Sequence, residues 1–61
     1  MTKSQIRELA RIYSHVMIGN THAAAAGLSA LIRSALRATD RAELLAVADE
    51  LQLREHPEFI I

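Results

Sequence analysis

The sequence predicts a small all-α fold, in which helices 1 and 2 form an antiparallel hairpin, a shorter helix 3 follows, and a symmetric dimer completes the core. Three observations predict it. Apolar residues recur three and four positions apart, as on one stripe of a helix with 3.6 residues per turn. Helix-start and helix-stop residues fall between the periodic stretches. The third observation is composition: the 61-residue chain holds eleven alanines, and its only aromatic residues are Tyr13 and Phe59. A chain this short removes only about 60% of its unfolded surface from water on folding alone. It has no cysteine for a disulfide or a thiolate zinc site, which leaves association as the means of completing the core.

Helix 1 is expected over residues 3–18. Ile6, Leu9, Ala10, Tyr13, Val16 and Met17 make its apolar stripe, with Arg7, Arg11, Ser14 and His15 on the opposite side. Thr2 and Gln5 have the spacing of a capping box, the threonine accepting from a first-turn N–H and the glutamine reaching back. Gly19-Asn20 ends the helix, because both residues enter the left-handed region at little cost. Thr21 is then the expected cap of helix 2.

Helix 2 is expected over residues 22–38, with Ala24, Leu28, Leu31, Ile32, Ala35 and Leu36 on one face and Arg33 and Arg37 opposite. Ala23 and Gly27, and Ala26 and Ala30, are four apart, a spacing that lets a neighbouring backbone approach closely. Ala23-x3-Gly27 also has the alanine and turn-glycine spacing of a helix-turn-helix. The apolar periodicity nevertheless runs unbroken through Gly27, and Arg33 falls where that motif needs a buried aliphatic residue.

Helix 3 is expected over residues 41–53, opened by a capping-box spacing at Asp40-Arg41-Ala42-Glu43. Leu44, Val47, Ala48 and Leu51 form its stripe. Leu53 falls off that stripe, so the helix should fray between Gln52 and Arg54. His56 precedes Pro57 and is disfavoured in helical geometry, which makes residues 54–61 a tail. The whole of residues 1–61 reads as one helical domain.

Lysine plus arginine balance aspartate plus glutamate, seven against seven, which speaks against a strongly basic nucleic-acid or membrane-surface binder. The distribution is uneven, since residues 1–41 carry six basic and two acidic side chains while residues 42–61 carry one and five. No apolar run approaches the ~20 residues of a membrane span and no signal peptide opens the sequence; a cytoplasmic protein, with no membrane partner, is expected. The arginine-, alanine- and leucine-rich usage fits a bacterial or phage small protein.

No catalytic constellation is present. There is no cysteine nucleophile, and Ser4, Ser14, Ser29 and Ser34 lack the glycine-flanked elbow of a catalytic serine; helical serines are more often caps or surface residues. The expectation is that the chain is not an enzyme. His15 and His22 straddle the Gly19-Asn20 break, and no acid completes an HExxH-like arrangement with His15, His22 or His56 on one face. Neither a metal nor another cofactor is expected.

The functional expectation is a protein–protein interaction module, an accessory, adaptor or inhibitor protein that also self-associates, with Ile6, Leu9, Tyr13, Met17, Leu28, Leu31, Ile32, Phe59 and Ile60 as interaction residues. Phe59-Ile60-Ile61 is a concentrated apolar end that should fold back on the chain or dock elsewhere. The alternative is a nucleic-acid-binding regulator whose Arg7, Arg11, Arg33 and Arg37, four apart in pairs, contact phosphates.

Overall fold

The computed structural model describes residues 1–61 as three helices, α1 (Lys3–Met17), α2 (Thr21–Ser34) and α3 (Ala38–Glu50). Helix α2 is the centre of the molecule: α1 and α3 each pack on it, and not on one another.

The predicted capping box opens α1, with Thr2 Oγ1 accepting from the Gln5 N–H at 3.1 Å and Gln5 Oε1 accepting from the Thr2 N–H at 2.6 Å. Gly19, at φ +81°, closes it. The Asn20 N–H reaches His15 O at 2.8 Å and the Gly19 N–H reaches Val16 O at 3.0 Å, the paired bonds of a Schellman motif. Asn20 is also the N-cap of α2, its Oδ1 accepting from the Ala23 N–H at 3.4 Å. Thr21, expected as that cap, is instead the first helical residue. One asparagine thus ends one helix and starts the next.

The second connection differs from expectation more. Helix α2 stops at Ser34 rather than at 38, and Ala35 and Arg37 are extended. The cause is tertiary: Arg41 Nη1 donates to Ala35 O at 2.8 Å and to Leu36 O at 3.1 Å, satisfying carbonyls left orphaned where the helix ends. Leu36, expected on the core face, is consequently 92% exposed. Helix α3 then begins at Ala38, three residues early, and the expected capping box at Asp40 does not form. Arg37 occupies the N-cap position without a side-chain bond, while Asp40 sits buried in the first turn, 3.4 Å from the Met1 amino nitrogen.

Helix α3 ends at Glu50, short of the expected 53. Gln52 takes φ +57°, the Leu53 N–H bonds Ala48 O at 2.9 Å and the Gln52 N–H bonds Asp49 O at 3.2 Å. This is the same Schellman geometry with glutamine where glycine is common. It resolves the mismatch of Leu53 with the helix stripe, because the reversal turns that side chain into the core, where it is fully buried.

The core consists of Ile12, Ala24, Ala25, Leu28, Leu31, Ile32, Ala35, Leu44, Ala48 and Leu53. Ile12 was not part of the expected α1 stripe, yet it is the one buried residue of that helix. It lies against Gly27, where an added Cβ would come within 3.3 Å of Ile12 Cγ1; α1 approaches α2 closely because that side chain is missing. Ala23 beside this contact is half-buried, whereas Ala26 and Ala30 face outward. No helix is long and apolar enough to cross a membrane.

Candidate functional site

Two features stand out once the helices are placed, an apolar row on the outside of α1 and a cluster of ionisable side chains where the C-terminal segment crosses the start of α2. The row follows from the width of the α1 stripe. Leu9, Ile12 and Val16 turn towards α2, and the second flank, Ile6, Ala10, Tyr13 and Met17, lies about 95° further round at 100° per residue. All four are exposed, Ile6 at 55% and Met17 at 85%. Helix α2 covers one side of an apolar arc that is too wide for a single neighbour.

The residues expected to mediate interactions therefore divide into groups. Leu28, Leu31 and Ile32 are buried inside the chain's own core. Leu9 and Phe59 are half-buried against that core. Ile6, Tyr13, Met17 and Ile60 remain at the surface. Ile18 is exposed directly after Met17, and Ile60 and Ile61 are exposed beyond the contact of Glu58 with the first turn of α2.

The four arginines singled out as phosphate contacts are all exposed. Arg11 lies 3.4 Å from Glu8 of its own helix. Arg37 caps α3 and is outside α2, so the four-residue spacing does not align it with Arg33 on a common helix. Arg7 and Arg11 share α1.

The C-terminal segment is held by contacts that the sequence does not announce. Ser29, on α2, is buried, and its Oγ lies 3.1 Å from Ala26 O and 3.2 Å from Glu58 O. The hydroxyl thus ties α2 to the backbone that follows Pro57. His22 Nδ1 donates to Glu58 Oε1 at 2.9 Å across 36 residues of sequence. The His56 ring stands edge-on to the His22 ring, with centroids 5.6 Å apart. Phe59 packs on the core immediately beyond.

Glu58 titrates below its ordinary value, first because His22 donates to the carboxylate and second because its own backbone N–H does. Nitrogen donors of His22 and His56 and a carboxylate oxygen of Glu58 all lie within 4.8 Å of one another; these are the residues able to share a metal ion, and His15 is not among them. Sequence spacing could not reveal the group, because its members meet only through the fold of the tail. The nearest local sign is His56-Pro57-Glu58 itself, two ligand types held on a restricted backbone.

The chain matches no protein-family model, no curated protein sequence and no solved structure.

Proposed function

We propose that this chain is a non-catalytic helical module that works by protein–protein association, and that its first partner is a second copy of itself. One observation carries the reading: the outer row of α1, Ile6, Ala10, Tyr13 and Met17, is apolar and uncovered. Its spacing supports a two-fold partner. The intervals of four, three and four residues read the same in both directions, so an antiparallel α1–α1 pairing sets Ile6 opposite Met17 of the second copy and Ala10 opposite Tyr13. A small residue thereby faces a large one at both central positions, which is the self-complementarity that an isologous interface requires. The same pairing brings Glu8 opposite His15 of the second copy and keeps Arg7 away from its own equivalent.

Exposed Ile18 directly follows the row, and an adaptor or inhibitor role towards another protein would use the same patch. No paired nucleophile and base converge anywhere on this surface, which supports a role in binding rather than catalysis.

Sedimentation of wild type and Tyr13→Glu at micromolar concentration tests the reading. The wild type should sediment as a dimer, with the variant shifted to monomer and its far-ultraviolet helicity unchanged. A monomeric wild type, or a variant that dimerises equally well, would overturn it. Dissociation by salt in place of the apolar substitution would point to the arginines instead.

A further inference from the structure

We infer that His22, His56 and Glu58 form an intrachain site for a borderline divalent transition metal, with Zn²⁺ as its reference ion, and that the bound metal clips the C-terminal segment onto the start of α2. The donor set is two imidazoles and one carboxylate, which suits zinc better than the all-oxygen preferences of magnesium or calcium. Zinc at bond lengths of about 2.0–2.1 Å in a tetrahedron holds neighbouring donors about 3.4 Å apart. Here one pair already stands at 2.9 Å and all three donors lie within 4.8 Å, so side-chain rotation without a change of fold closes the set. His22 is exposed and His56 half-buried, which leaves room for that rotation and for a water as fourth ligand.

The cost of bringing distant ligands together is largely met before metal arrives. Ser29 holds the Glu58 carbonyl and Phe59 anchors the following residue, while Pro57 restricts the backbone between two of the three ligands. The positive end of the α2 dipole lies close to His22 and opposes a cation. Glu58 supplies the negative charge that offsets it. The site is independent of the α1 surface.

The test is isothermal titration and thermal unfolding of metal-free protein with ZnCl₂, with MgCl₂ as the hard-ion control. Zinc should bind at about one ion per chain and raise the melting temperature, while magnesium does neither. His22→Ala, His56→Ala and Glu58→Gln should each weaken zinc affinity at least about tenfold, and His15→Ala should leave it unchanged. These positions lie outside the core, so circular dichroism should show intact helices. As a second readout on the wild type, zinc should shift the imidazole resonances of His22 and His56 but not those of His15. Absence of saturable binding, equal binding of magnesium, equal loss in His15→Ala, or zinc-driven cross-linking of chains would overturn the assignment.

Discussion

At the scale of single residues, the determining choices are the ones that break local rules. Gln52 is a non-glycine residue in the left-handed region, a conformation that costs an L-residue about 1 kcal/mol or more. The reversal it makes is what buries Leu53, whose deletion to alanine would forfeit a fully buried leucine. Gln52→Gly should therefore raise stability by about 0.5–1 kcal/mol and Gln52→Val should lower it, as read by urea denaturation. The misfit of Leu53 with the α3 stripe was legible in the sequence, but it placed the end of the helix too late, since α3 stops at Glu50. The left-handed glutamine was not legible, because nothing local distinguishes it from a helical one.

Glu58 makes the docked tail sensitive to acid. Its folded titration lies below the ordinary value of 4.5, so the contact contributes fully above that value and is lost as pH falls through the lowered one. The midpoint of the Glu58 carboxyl resonance itself should lie below the usual glutamate value. A carboxyl midpoint at or above that value would contradict the hydrogen bond from His22. Neither this contact nor the buried Ser29 was visible beforehand, since serine on a helix ordinarily reads as a surface or cap residue.

At the scale of elements, the three helices, the Thr2–Gln5 box and the Gly19-Asn20 stop were all readable, because each has a local cause in side-chain chemistry. The junction between α2 and α3 was not. No glycine or proline marks it; Arg41 takes up the carbonyls of Ala35 and Leu36 from the following helix, and a nonlocal donor leaves no trace in the spacing of α2. The α1 stripe was read as a single face centred on Ile6, Leu9, Tyr13 and Met17. Its buried edge instead runs through Ile12, whose side chain packs against the bare Cα position of Gly27 on α2.

That contact sets the strength of the hairpin. Gly27→Leu should force α1 away from α2 and cost more than about 2 kcal/mol, despite leucine's better helix propensity of up to about 1 kcal/mol. A denaturation midpoint unchanged or raised by this substitution would show that α1 is not seated on Gly27.

For the whole molecule, one chain already closes around a core. Its radius of gyration is 10.3 Å, against about 10.5 Å for a folded chain of this length. The expectation that large apolar volume is scarce nevertheless holds inside it: Leu28, Leu44 and Leu53 are the large side chains that are fully buried, and alanine fills much of the rest. The chain ends and the outer flank of α1 hold the exposed isoleucines and methionines, and Leu36 stands exposed at the α2–α3 junction. A self-complementary flank on a small domain with a light core is the basis for proposing that association belongs to its native state.

Isotope-filtered NMR on a mixture of labelled and unlabelled chains tests the α1 pairing most directly. Within one chain Ile6 and Met17 are separated by about 16 Å along the helix, far beyond the reach of a nuclear Overhauser effect. The antiparallel dimer predicts intermolecular effects between Ile6 and Met17 and between the Ala10 methyl and the Tyr13 ring. Their absence at concentrations where the chain is associated, or their replacement by contacts from Leu36 and the α2–α3 junction, would contradict it.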